Sequence, residues 1–86
     1  MATANLSITP TWQKIADPAD SFLASSEAYI TMEFATTDAD TAPVVSGHQV
    51  QFWRGQMAIN RAILGAGYVW VRLAAGSGAY ALVVTK

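Results

Sequence analysis

Cysteine is absent from the 86 residues, so no disulfide can brace the chain. That absence is compatible with any redox compartment. Histidine is almost absent too. His48 stands alone with no thiolate to accompany it, and a zinc site normally needs three or four such ligands. No metal or cofactor is therefore expected. Charge is sparse and nearly balanced, with five Lys or Arg against six Asp or Glu. Nucleic-acid binders usually carry a basic excess. Here Arg54, Arg61 and Arg72 are scattered, while Asp17, Asp20, Asp38 and Asp40 gather in predicted loops, so no nucleic-acid partner is expected. No apolar run reaches the ~20 residues of a membrane helix. The longest, from Ala58 to Ala75, is broken by Asn60, Arg61, Gly65, Gly67 and Arg72, and no membrane partner is expected. Met1 to Pro10 has neither a basic run nor an apolar block, and does not read as a secretory signal.

What the chain does have is small and large apolar residues in quantity, sixteen alanines among them. It reads as one domain, residues 1–86, with residues 1–10 as a candidate extended N-terminal arm. A domain this short buries roughly 60–65% of its unfolded surface. With disulfides and metals gone, oligomerisation is the remaining device for adding stability. The low charge fits a surface packed against neighbours, or alanines that serve as mild surface residues.

Helix signals are weak and strand signals recur. Ala28 to Phe34 alternates, with Ala28, Ile30, Met32 and Phe34 on one face and Tyr29, Thr31 and Glu33 on the other. Ala35 to Pro43 reads as an exposed loop, and Thr36 to Pro43 as mobile. Val44 and Val45 restart the apolar pattern and Ser46-Gly47 marks a turn. Gln49 to Trp53 alternates with Val50 and Phe52 inward, and Arg54-Gly55-Gln56 reads as a hairpin connection or bulge. Met57 to Leu64 fits a strand better than a short helix ending at Gly65, because no good cap precedes it. Tyr68 to Leu73 is the clearest strand. Ala79 to Thr85 forms a last strand, read as its hairpin partner across Gly76-Ser77-Gly78. Ser7 to Thr9 and Trp12 to Ile15 read as short strands around Pro10, and Phe22-Leu23 as a loop anchor or edge strand. The fold class is all-β, a small sandwich or barrel of about six to eight short antiparallel strands.

The residues that might carry chemistry do not assemble a reaction. His48 needs a nucleophile and an orienting acid to act as a base, and otherwise reads as a surface histidine. Glu27, Glu33 and the loop aspartates offer carboxylate pairs for glycoside hydrolysis, but solvation and local turn bonds account for the aspartates. Their spacing is not that of a calcium loop. Neither glycine pair precedes a helix, as a phosphate loop requires. No enzyme is expected. Trp12, Trp53 and Trp70 are the most suggestive residues. They suit a two-sided core, a protein interface or a sugar platform. Trp53, Tyr68, Trp70 and Arg72 lie opposite the aliphatic strand faces and form the candidate interface.

Gly47-His48-x-Val50, Gly55, Gly67-Tyr68-Val69-Trp70-Val71-Arg72, Ser77-Gly78-Ala79 and Val83-Val84-Thr85, with Trp12-Gln13-Lys14-Ile15 near the start, resemble small virion proteins of tailed bacteriophages. The resemblance runs from about residue 12 to residue 86. It implies a compact β-domain in the virion, assembled in the host cytoplasm, with a binding role rather than a catalytic one. The implied function is capsid decoration or cement, as a homo-oligomer with a trimer favoured, docked on other virion proteins such as the major capsid protein. The alternative is a carbohydrate- or receptor-binding module of a head or tail fibre.

Overall fold

The computed structural model describes residues 3–44, 47–55, 57–74 and 76–86. Among the described residues are eight strands and one turn of helix: β1 (Thr3–Ile8), β2 (Gln13–Ala16), β3 (Leu23–Ser25), β4 (Tyr29–Thr37), β5 (His48–Trp53), β6 (Ala58–Asn60), α1 (Arg61–Leu64), β7 (Tyr68–Leu73) and β8 (Tyr80–Thr85). They form two four-stranded sheets, ordered β1-β8-β3-β6 and β2-β7-β4-β5, with every pairing antiparallel.

The order has a simple origin. The pairs β1·β8, β2·β7, β3·β6 and β4·β5 are the rungs of one long ribbon, folded back at the β4–β5 connection. Curling that ribbon lays β8 on β3 and β7 on β4, which supplies the two remaining ladders. This is the winding of a jelly roll. Every connection except β4–β5 passes from one sheet to the other.

The core lies between the sheets. Met32, Phe34, Val50, Phe52, Val69, Val71 and Leu73 enter it from the second sheet; Ile8, Ala24, Ile59, Leu82 and Val84 enter from the first. Phe34 and Phe52 meet edge to face, with ring centroids 6.0 Å apart. The alternation of β4, β5 and β7 therefore orients their side chains as the sequence indicates.

Several local expectations are corrected. β7 and β8 are not a hairpin: they belong to different sheets, and the Gly76–Gly78 region arches between them. The turn at Arg54-Gly55 likewise leads from β5 to a strand in the other sheet. Its backbone keeps to the β3–β4 connection, with the Arg54 and Gly55 N–H groups donating to Ala28 and Ser26 carbonyls. Gln56 lies outside the described residues. The loop after β4 begins three residues later than expected, because Ala35, Thr36 and Thr37 pair with Trp70, Val69 and Tyr68. Two β-branched threonines suit that extension. Residues 58–60 are a strand, but 61–64 are helical. Asn60 is the missed cap: its side chain accepts from the Ala62 N–H at 3.0 Å, and the Gly65 N–H closes the turn on Arg61.

Phe22 is buried, and β3 beside it is an inner strand rather than an edge. Val44 is almost fully exposed, so it starts no apolar face, and Val45 and Ser46 lie outside the described residues. Within the candidate arm, residues 1–10, residues 3–8 are extended but paired with β8 along their whole length, from Thr3↔Thr85 to Ile8↔Tyr80.

Candidate functional site

The outward positions of the second sheet gather most of the large aromatic rings. Cross-strand register puts Tyr29 beside Trp53, Ala35 beside Trp70 and Thr37 beside Tyr68, and Trp12 lies over Arg72. All three tryptophans and two of the three tyrosines are thus on one face, while Phe22, Phe34 and Phe52 are in the core. Trp53, Tyr68, Trp70 and Arg72, the four residues suggested by the sequence, share this face.

They are not equivalent there. Tyr68, Trp70 and Arg72 are half-buried and engaged by their own chain. The Trp70 indole N–H donates to Thr37 Oγ1 at 2.9 Å. Arg72 Nε donates to Glu33 Oε1 at 2.6 Å, and its guanidinium carbon stands 4.3 Å from the centre of the Trp12 ring. That stacked, paired arrangement suits arginine's planar head. Lys14 Nζ lies 5.4 Å from the Tyr68 ring and is held by Asp17 and Asp40, at 3.0 and 2.9 Å. These two carboxylates, with the Asp40 bond the stronger influence, raise the Lys14 pKa above its ordinary value. Much of the strip is therefore covered from within.

Trp53 differs. It is 52% exposed and Tyr29 54%, with their rings 4.7 Å apart in an edge-on contact. Beside them runs the free side of β5. A groove of about 640 Å³ separates it from β6 and α1, lined by Val50, Trp53, Met57, Ile59 and Ile63 among others. Tyr29, Met57 and Ile63 escaped the sequence reading. The outward parity of Tyr29 was visible, but nothing local showed that β6 and α1 would stand opposite β5.

Glu33 anchors the face. Its side chain is 6% exposed, although it points to the outer side of the sheet. The Gly47 N–H donates to Glu33 Oε2 at 2.6 Å. That bond, assisted by Arg72 and opposed by burial, holds the Glu33 pKa below its ordinary 4.5. The stabilisation is therefore complete above the unfolded value and is lost as pH falls through the folded one. Stability should decline as pH drops below about 4.5, and Glu33→Gln should flatten that decline in melting curves taken from pH 7 to pH 2. Gly47 can make this bond because it has no side chain: a Cβ there would stand 2.3 Å from the Phe34 carbonyl oxygen. Gly47→Ala should cost about 1–3 kcal/mol in denaturant unfolding, the usual penalty of forced overpacking.

The other chemical candidates remain apart. His48 is exposed on β5. Asp17 and Asp40 converge on Lys14, while Asp20 accepts from the Asp17 N–H and pairs with Lys86 at 3.5 Å. Among the described residues, no three His, Asp or Glu side chains are grouped to hold a metal ion. The outer face of the second sheet, with Tyr29 and Trp53 half exposed, offers surface for contact.

No family model, curated protein or solved structure matches the chain. Its functional reading rests on this geometry and on the sequence.

Proposed function

We infer that the protein is a structural subunit of a bacteriophage virion, a decoration or cement protein that stabilises the capsid by binding. The observation that carries this reading is the outer face of the second sheet, where aromatic rings are concentrated and Tyr29 and Trp53 remain half exposed. Large rings left in water are costly for an isolated domain and characteristic of a contact surface. The jelly-roll winding, which recurs among viral capsid domains, is in keeping with it as an analogy of fold.

The mechanism would be mass action. A subunit that binds the assembled shell and not its dissociated parts lowers the free energy of the assembled state. Trp53 and Tyr29 would supply the open contact, with Tyr68, Trp70 and Arg72 forming the firm floor beside them. The major capsid protein is the proposed partner.

The exposed Trp53 ring also suits a sugar platform in a fibre module. The 71° angle between Tyr29 and Trp53 gives no flat surface shared by both rings, so this reading ranks second. The test is to add purified protein to shells lacking it. Saturable binding and a raised shell melting temperature are expected, with Trp53→Ala weakening binding by about 2 kcal/mol if the ring is a hot spot. Binding to a glycan array with no affinity for shells would favour the fibre module.

A further inference from the structure

We propose that the free edge of β5 pairs antiparallel with β5 of a second copy, joining two second sheets into one eight-stranded sheet. An unpaired strand edge is a template for another strand, and proteins normally guard against this with charge, proline, bulges or short length. β2 has Lys14 and a bulge between Lys14 and Ala16. β6 has only three residues. β5 has six, His48-Gln49-Val50-Gln51-Phe52-Trp53, with no Lys, Asp, Glu or Pro.

β1 is also an uncharged six-residue edge, so the surroundings decide between the two. The hollow beside β1 is bordered by Lys14 and Lys86. Lys14 is paired with Asp17 and Asp40, and Lys86 with Asp20, so two copies meeting there would have to desolvate these ion pairs or displace them, at a cost the uncharged groove beside β5 does not carry. The groove beside β5 has no Asp, Glu, Lys or Arg among its described lining residues, and it carries the half-exposed Trp53, Met57 and Ile63. A partner with a strong charge would find nothing to pair with. A second copy brings the same uncharged strand and the same apolar border, so the contact is self-complementary and closes at two copies.

Size sets the strength. Across the groove, Met57 and Ile63 each leave about half of a side chain open to this contact. A standard interface needs about 800 Å² per partner. The edge contact is smaller, and the pair should be weak when free. On a shell, two linked faces would bind with the gain of bivalency, although the pairing itself does not depend on the virion reading.

The experiment is sedimentation equilibrium of the free protein from about 5 µM to 1 mM, with amide hydrogen exchange at both ends of the range. A monomer–dimer equilibrium is expected, with added protection at Gln49 to Trp53 in the concentrated sample. Gln51→Lys places a charge at the middle of the edge, on an exposed residue, and should abolish the dimer while leaving the circular dichroism spectrum unchanged. Met57→Lys, across the groove, is the second variant and should weaken it at least tenfold. A strict monomer throughout the range would overturn the proposal. So would a dimer or trimer that survives both substitutions, or protection confined to β1.

Discussion

Deleting residues 1–8 is expected to abolish cooperative folding. β1 covers the full length of β8, and the two strands bring together residues as far apart in the chain as Thr3 and Thr85. Ile8 is wholly buried and Leu6 packs on the core. Their loss would uncover Leu82 and Val84 and leave β8 with β3 as its only ladder partner, which it meets over three residues. Losing one buried Ile side chain commonly costs about 2–5 kcal/mol. Removing the strand adds its ladder to that loss, against a total stability of about 5–15 kcal/mol for a domain. Thermal unfolding followed by near-ultraviolet circular dichroism should show no sigmoidal transition for the deletion. A transition within a few degrees of the intact protein would mean that the segment is a dispensable arm.

Arg61→Ala should have the next largest effect. The guanidinium gathers four backbone carbonyls: Nε donates to Asp20, Nη2 to Asp17, and Nη1 to Gly67 at 2.8 Å and Gly65 at 3.2 Å. It also lies 5.7 Å from the Phe22 ring centre. One side chain thus ties the turn before β3 to the segment between α1 and β7. Bonds from a charged donor contribute about 1.5–3 kcal/mol each when fully formed, and partial exposure reduces their sum. A loss of about 2–4 kcal/mol is expected, or roughly 10–25 °C in melting temperature for a domain of this size. Arg61→Lys should recover little, because a single ammonium lacks the planar fork that reaches four acceptors. A loss below about 1 kcal/mol, or full recovery with lysine, would contradict the clamp.

These two features were hidden in the sequence for the same reason. Strand periodicity tells which face of Tyr68–Leu73 is inward, and Val69, Val71 and Leu73 are indeed buried. It does not tell which strand lies beside it. Neighbouring strands with a short turn normally pair, so β7 and β8 read as a hairpin. Curling of the long ribbon instead sends them to opposite sheets. Arg61 looked like one more member of an alternating run because Asn60 was not recognised as a cap. Once Asn60 ends β6 and starts α1, the arginine turns toward the 17–20 turn.

The candidate face was partly legible on the same principle. Parity alone placed Tyr68, Trp70 and Arg72 together, and placed Trp53 opposite Val50 and Phe52. The pairing of Arg72 with Glu33 spans 39 residues and required the β4–β7 register. That pairing also changes what Arg72 does: it supports the face by neutralising a buried carboxylate, while Trp53 and Tyr29 remain open. Substituting Arg72 would disturb the domain itself, so Trp53 is the cleaner probe of docking.

An electron-microscopy map of decorated shells, at a resolution that orients the two sheets, tests the central claim most directly. The expected result is density for the domain on the shell surface, with the outer face of β2-β7-β4-β5 turned toward the capsid protein and Trp53 within the contact. A domain absent from saturated shells, or seated through β1-β8-β3-β6 with Trp53 facing solvent, would contradict it.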